Sequence, residues 1–154
     1  MTVHYPPTPH PATFSTPSVF LAGSIEMGKA IDWQQEVIKQ LTDAQWNGAV
    51  LNPRRADWDS SWEQKIENPK FREQVEWELE GLEKATLIIF YFAPKTYSPI
   101  TILELGLFAQ NKECVVCCPE GFWRKGNIDI VCARYGVPQV QTIEELTKAI
   151  LELG

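Results

Sequence analysis

The sequence predicts a three-layer α/β sandwich on a doubly wound, mainly parallel sheet of five strands. Three observations point there. After Pro17, short apolar and β-branched runs alternate with segments of helical periodicity. The run LIIFYF at 87–92 is apolar on both faces, as a central parallel strand should be. With 154 residues, 44% hydrophobic and 22% charged, the chain is large enough for one domain with its own core.

The elements follow in order. Residues 1–17 carry five prolines among Ser and Thr, and read as a flexible proline-rich N-terminal arm before a domain spanning 18–154. Residues 18–22 form the first strand, running into Gly23-Ser24. Asp32 is a good N-cap for a helix to Leu41, with Trp33, Val37 and Leu41 at helical spacing. Residues 48–51 form the second strand, stopped by Asn52-Pro53. A long loop leads to a helix over 69–84, whose buried stripe is expected along Val75, Leu79 and Leu82 with Glu78 beside it. The third strand is 87–92. Ser98 as N-cap and Pro99 at the first helical position open the next helix, ending near Asn111. A fourth strand at 113–118, a short helix at 127–135, a fifth strand near 138–140 and a helix from Thr142 complete the chain. In such sheets ligands bind beyond the carboxyl ends of the strands. That edge presents residues 23–28, 54–62, 94–99 and 119–127.

Composition narrows the function classes. A net charge of −6 argues against a nucleic acid polymer as partner. No apolar run approaches the ~20 residues that span a bilayer, and the N-terminal residues lack a signal-peptide core. The expected location is the cytoplasm, without membrane contact. Cys114, Cys117, Cys118 and Cys132 have no second ligand pair at zinc spacing, because His4 and His10 both lie in the arm. They read as reduced thiols in a buried strand. The turn GSIEMG matches neither GxGxxG nor GxxxxGK[ST], so it offers no dinucleotide or Walker-type phosphate site.

The most informative segment is SPITILELGLFA, residues 98–109, in which Glu104 is the only charge. A helix apolar all round should be buried, and a buried carboxylate is costly unless paired, hydrogen-bonded or protonated. Gly106 lowers helix propensity there, which points to close packing or ligand approach. Aromatic residues crowd the ligand edge, among them Trp58, Trp62, Tyr97 and Trp123, and a flat base can stack on such rings.

FLAGSI, WELEGLEKATLIIFYF, SPITILELGLFA and FWRKGNIDIV together resemble the nucleoside 2-deoxyribosyltransferase family, including its nucleotide N-glycosidase relatives, over about residues 18–140. The resemblance implies a doubly wound, flavodoxin-like or Rossmann-like fold and a homodimer or higher homo-oligomer with shared active sites. It implies cleavage of an N-glycosidic bond by a glutamate that attacks the anomeric carbon, and capture of the glycosyl-enzyme by another base or by water. The nucleophile falls on Glu104, a base- or sugar-contacting acid on Glu78, and the glycine-containing turn on Gly23 and Ser24. Asn127 matches an asparagine that reaches into the neighbouring subunit's site. Six residues before Glu104 the transferases carry an aspartate; this chain has Ser98, as the monophosphate hydrolases tend to, for phosphate. Those hydrolases, however, have a basic residue in the first turn where this chain has Glu26.

The chemistry fits that resemblance. A retaining displacement needs a carboxylate nucleophile, supplied by Glu104, and an acid near the leaving group, supplied by Glu78 or Asp57. The expected reaction moves the sugar of a (2-deoxy)nucleoside to another free nucleobase. The alternatives are a hydrolase of nucleosides or nucleoside 5′-monophosphates, and a catalytically silent nucleoside-binding domain. No metal or organic cofactor is required.

Overall fold

The computed structural model describes residues 1–26 and 30–153. Met27, Gly28 and Lys29, inside the turn expected at the ligand edge, lie outside the described residues. The chain runs β1 (Thr2–His4), β2 (Ser18–Gly23), α1 (Trp33–Asp43), β3 (Ala49–Leu51), α2 (Pro69–Lys84), β4 (Leu87–Tyr91), α3 (Pro99–Phe108), β5 (Cys114–Cys117), α4 (Lys125–Tyr135), β6 (Gln139–Val140) and α5 (Ile143–Leu151). The strands form one sheet in the order β1-β3-β2-β4-β5-β6, and every pairing is parallel.

The expected five strands become six. Thr2–His4 adds to the outside of β3, pairing Thr2 with Ala49 and His4 with Leu51. Without it, β3 would present an open row of backbone donors and acceptors. The rest of the arm is also held, against the expectation of a flexible segment. His10 is buried on Trp77, with ring centroids 4.3 Å apart, and its Nε2 donates to the Trp77 carbonyl at 2.9 Å. Trp77 Nε1 donates in turn to the Thr8 carbonyl at 2.8 Å.

Alternation along the strands divides the core into two layers. Phe20, Ala22, Ile88, Phe90 and Val116 face Trp77 and Leu82 of α2, Leu105 of α3 and Ile128 of α4. Val19, Leu21, Ile89 and Cys117 face Trp33, Val37 and Leu41 of α1 and Leu146 and Ile150 of α5. The strand after β2 is reached through one helical layer and the strand after β4 through the other, so the neighbours β2 and β4 bracket the topological switch point. There Gly23 closes the packing. A Cβ on it would come within 2.5 Å of both the Trp33 ring and the Tyr91 carbonyl oxygen.

Helix starts follow the sequence signals in part. Asp32 accepts from the Gln35 amide, Asn68 from those of Lys70 and Phe71, and Thr142 forms a capping box with Glu145. Ser98 does not cap α3 with its side chain: its backbone is left-handed, at φ 47, and its hydroxyl turns elsewhere.

Two burial expectations are corrected. On α2 the buried positions are Gln74, Trp77, Gly81 and Leu82, while Val75 and Leu79 are only half-buried. The stripe rotates because the Trp77 ring needs the core, and this carries Glu78 onto the inner line between Gln74 and Leu82. On α3, Ile100, Leu103 and Leu107 are at least half exposed, and a Cβ on Gly106 would meet open space. The helix is thus apolar on both sides but buried on one.

Candidate active site

Two helices of the same layer bring two carboxylates near each other. Glu104 projects from α3 between the buried Thr101 and Leu105, and is only 7% exposed. Burial lifts its pKa well above the carboxylate range, and the charge of Glu78 lifts it further. Glu78, on α2, is raised to about 7, chiefly by desolvation. The two acids therefore lie within electrostatic reach and titrate as a pair, which resists double ionisation near neutral pH.

Gln74, one turn before Glu78, fixes that side chain. Its buried Nε2 donates to Glu78 Oε1 at 3.2 Å and to the Pro53 carbonyl at 3.1 Å. This bond favours the ionised form of Glu78 and partly offsets desolvation. It also ties α2 to the loop leaving β3.

At the carboxyl ends of β2 and β4, three hydroxyls converge. Ser24 Oγ and Ser98 Oγ share a hydrogen bond of 2.6 Å, and Thr96 Oγ1 lies 3.0 Å from the first and 2.9 Å from the second. Ser24 Oγ accepts from the Ala93 amide at 2.9 Å, and the Ser24 amide donates to the Tyr91 carbonyl at 3.0 Å. The turns after β2 and β4 are thereby joined. Glu26 Oε1 completes the junction, accepting from the amides of Tyr97 at 3.0 Å and Ser98 at 2.8 Å.

A third group stands on the loop after β3. The buried Arg55 guanidinium donates to Asp57 at 2.6 Å and to Glu73 of α2 at 2.9 Å, and lies 5.1 Å from the centre of the Trp62 ring. Trp58 meets Trp62 edge to face at 5.1 Å. The Arg55 hydrogen bond holds the exposed Asp57 carboxyl below its ordinary range.

Of the residues expected to form a site, Glu78 and Glu104 come together, and Ser24 and Ser98 bond directly. Gly23 serves packing. Asp57 and Trp62 meet through Arg55, on a separate loop. Asn127 is exposed in the first turn of α4. Sequence reading missed Gln74, Thr96 and Arg55. Only the i, i+4 spacing of Gln74 and Glu78 on a helix could have signalled the first.

A doubly wound parallel sheet covered by helices on both faces makes this a flavodoxin-like three-layer α/β protein, a fold in which ligands bind at the carboxyl edge of the sheet. The sequence matches the family described as "Nucleoside 2-deoxyribosyltransferase like" over residues 16–122. The chain belongs to that family, which sets it among nucleoside-modifying enzymes. No curated protein matches the sequence. Among solved structures it is similar to one described as a conserved protein from Enterococcus faecalis V583. The TM-score is 0.63 at 12% identity, over 90% of this chain and 99% of the other, a likeness of fold. Among the described residues no helix is long and apolar enough to cross a membrane.

Proposed function

We propose that this chain cleaves the N-glycosidic bond of a (2-deoxy)nucleoside and transfers the sugar to another base through a glutamyl-glycosyl intermediate. The observation that carries this reading is the buried Glu104 under the electrostatic influence of Glu78. A Glu104 carboxylate oxygen attacks the anomeric carbon as the bond from that carbon to the base nitrogen breaks. The electron pair leaves with the base, which takes a proton from Glu78. A second base then attacks the same carbon through its nitrogen, returns its proton to Glu78 and releases Glu104.

Glu78 suits the acid role because a pKa of about 7 keeps it substantially protonated near neutral pH. Asp57, held ionised by Arg55, is a poor donor. In the free site burial raises both carboxyls, so the pair shares its protons. Positive charge developing at the anomeric carbon favours the Glu104 carboxylate, and the proton of the pair then resides on Glu78.

The same reading includes a second copy of the chain. Ile100, Leu103 and Leu107 of α3 leave an apolar face in water, and Tyr97, just before that helix, and Trp123 are exposed rings that meet edge to face at 5.3 Å. Such a patch fits a homo-oligomer in which Asn127 approaches the neighbour's site.

The test is incubation with a deoxynucleoside, with and without a second free base. Base exchange supports transfer. Free sugar in both arms makes the enzyme a hydrolase, and binding without either product makes it a nucleoside-binding domain.

A further inference from the structure

Both supports of Glu78 are held by the N-terminal arm. The first is Trp77, the preceding residue on α2, which the arm grips at three points. The His10 ring lies 4.3 Å from a Trp77 ring centre, its Nε2 donates to the Trp77 carbonyl at 2.9 Å, and Trp77 Nε1 donates to the Thr8 carbonyl at 2.8 Å. The second support is Gln74, which donates to Glu78 and to the Pro53 carbonyl. Asn52, just before Pro53, donates its amide to the His4 carbonyl of β1 at 3.0 Å. The arm therefore reaches Glu78 by two routes.

The fit on α2 is close. Gly81, one turn after Trp77, leaves room for the imidazole: a Cβ there would stand 3.0 Å from His10 Nε2 and 2.9 Å from the Phe20 ring. Lys84, near the end of the helix, donates to the Pro11 carbonyl at 2.8 Å. His10 Nδ1 is buried with no hydrogen-bond partner among the described residues, so the ring is placed by its contacts with Trp77 and not by its own polar satisfaction. Successive residues on a helix stand about 100° apart. The rotation of α2 that buries Trp77 beneath the arm is thus the one that carries Glu78 to the inner line. Freed from the arm, the indole N–H loses its acceptor and the ring loses cover on one face.

We propose that His10 is a positioning residue: by docking the N-terminal arm on Trp77, it sets the rotation of α2 that turns Glu78 inward. The consequence for catalysis rests on the reading that Glu78 protonates the leaving base. A group that transfers a proton tolerates little displacement, and about 1 Å can cost a hundredfold in rate.

The experiment compares wild type, His10→Leu, His10→Gln and Gly81→Ala in the whole chain. Leucine keeps apolar cover on Trp77 without the donor, and glutamine restores an N–H. Alanine at 81 favours the helix while its methyl displaces the imidazole. One readout is the pH titration of the Glu78 carboxyl by carbon NMR with labelled glutamate, its signal assigned by loss in Glu78→Gln. The other is the pH profile of kcat, with KM, for base exchange. In wild type burial holds the Glu78 carboxyl at about 7. His10→Leu and Gly81→Ala should admit water to it and lower the midpoint by about one pH unit, a tenfold loss of proton affinity. The kcat should fall roughly tenfold and its alkaline limb should move down with the midpoint, while KM changes little. His10→Gln should recover most of both. A midpoint unmoved in His10→Leu overturns the inference even where the melting temperature falls, because a merely structural His10 changes stability alone. Should His10→Leu fail to fold, the same criterion applies to Gly81→Ala. A moved midpoint in a chain that turns over no nucleoside supports the role of His10 while overturning the proposed chemistry. A moved midpoint with kcat unchanged also supports it, and removes Glu78 from the acid role.

Discussion

Exchanging Glu78 for glutamine should flatten the dependence of stability on pH. Desolvation raises this carboxyl from 4.5 to about 7, against an opposing hydrogen bond from Gln74. The folded chain therefore keeps the proton at pH values where the unfolded chain has released it. The associated stability is fully present below the unfolded pKa and is lost as pH rises through the folded one. At ~1.4 kcal/mol per decade, wild type should lose about 2–3 kcal/mol between about pH 5 and pH 8 through this group. Glutamine has no proton to lose. It also removes the charge that helps to raise Glu104, so the second acid ionises more easily and adds to the flattening. The buried thiols do not enter the comparison, because Cys114 is pushed up to about 11 and Cys117 and Cys118 to about 12, all by burial. Urea denaturation of both proteins at the two pH values gives the answer, and a change of this size is large against the ~5–15 kcal/mol of a typical domain. Stability curves that stay parallel within about 0.5 kcal/mol would refute the desolvation of the Glu78 carboxyl and the pairing built on it.

Replacing Glu104 with glutamine should lower kcat by about a thousandfold or more while the circular dichroism spectrum stays native; activity above a few per cent of wild type would remove Glu104 from the nucleophile role. Gln74→Leu takes a donor from Glu78 and should raise its pKa, moving the alkaline limb of the pH–kcat profile upward; an unmoved limb would reduce Gln74 to packing. Arg55→Leu strands Asp57 and Glu73 and removes the cation beside Trp62, with an expected loss of about 1–3 kcal/mol in thermal or chemical unfolding. Leu103→Glu, on the exposed α3 face, should shift a self-associated chain toward monomer in analytical ultracentrifugation without lowering its stability; an unchanged mass would clear that face of an oligomeric role.

The fold was legible where one signal dominated. LIIFYF lies at the centre of the sheet because a strand covered on both faces can carry apolar residues at every position. Asp32 and Thr142 capped as their chemistry requires. The arm was misjudged because its prolines speak against regular structure, whereas three residues ahead of them suffice to cover the edge of β3. His10 was read only as a missing metal ligand. Its burial depends on a tryptophan 67 positions away, and no local pattern carries that information.

The site divides along the same line, between what a helix period encodes and what a turn decides. Glu104 stood out because a lone carboxylate among apolar residues must have a reason. Its partner is a consequence of topology. With the strand order β3-β2-β4-β5, the connections from β3 to β4 and from β4 to β5 fall in one layer, so α2 and α3 become neighbours on the same face of the sheet. Any acid on the inner line of α2 near the crevice then meets Glu104, and rotation of the buried stripe by Trp77 selects Glu78. Ser98 and Glu26 obey no such rule. Both adopt left-handed backbone, at φ 47 and φ 48, and a single turn of that kind redirects a side chain from solvent onto neighbouring amides. The acids that perform the proposed chemistry are thus set by sheet order and helix period. The Glu26 carboxylate that joins the turns after β2 and β4 is set by two local torsions.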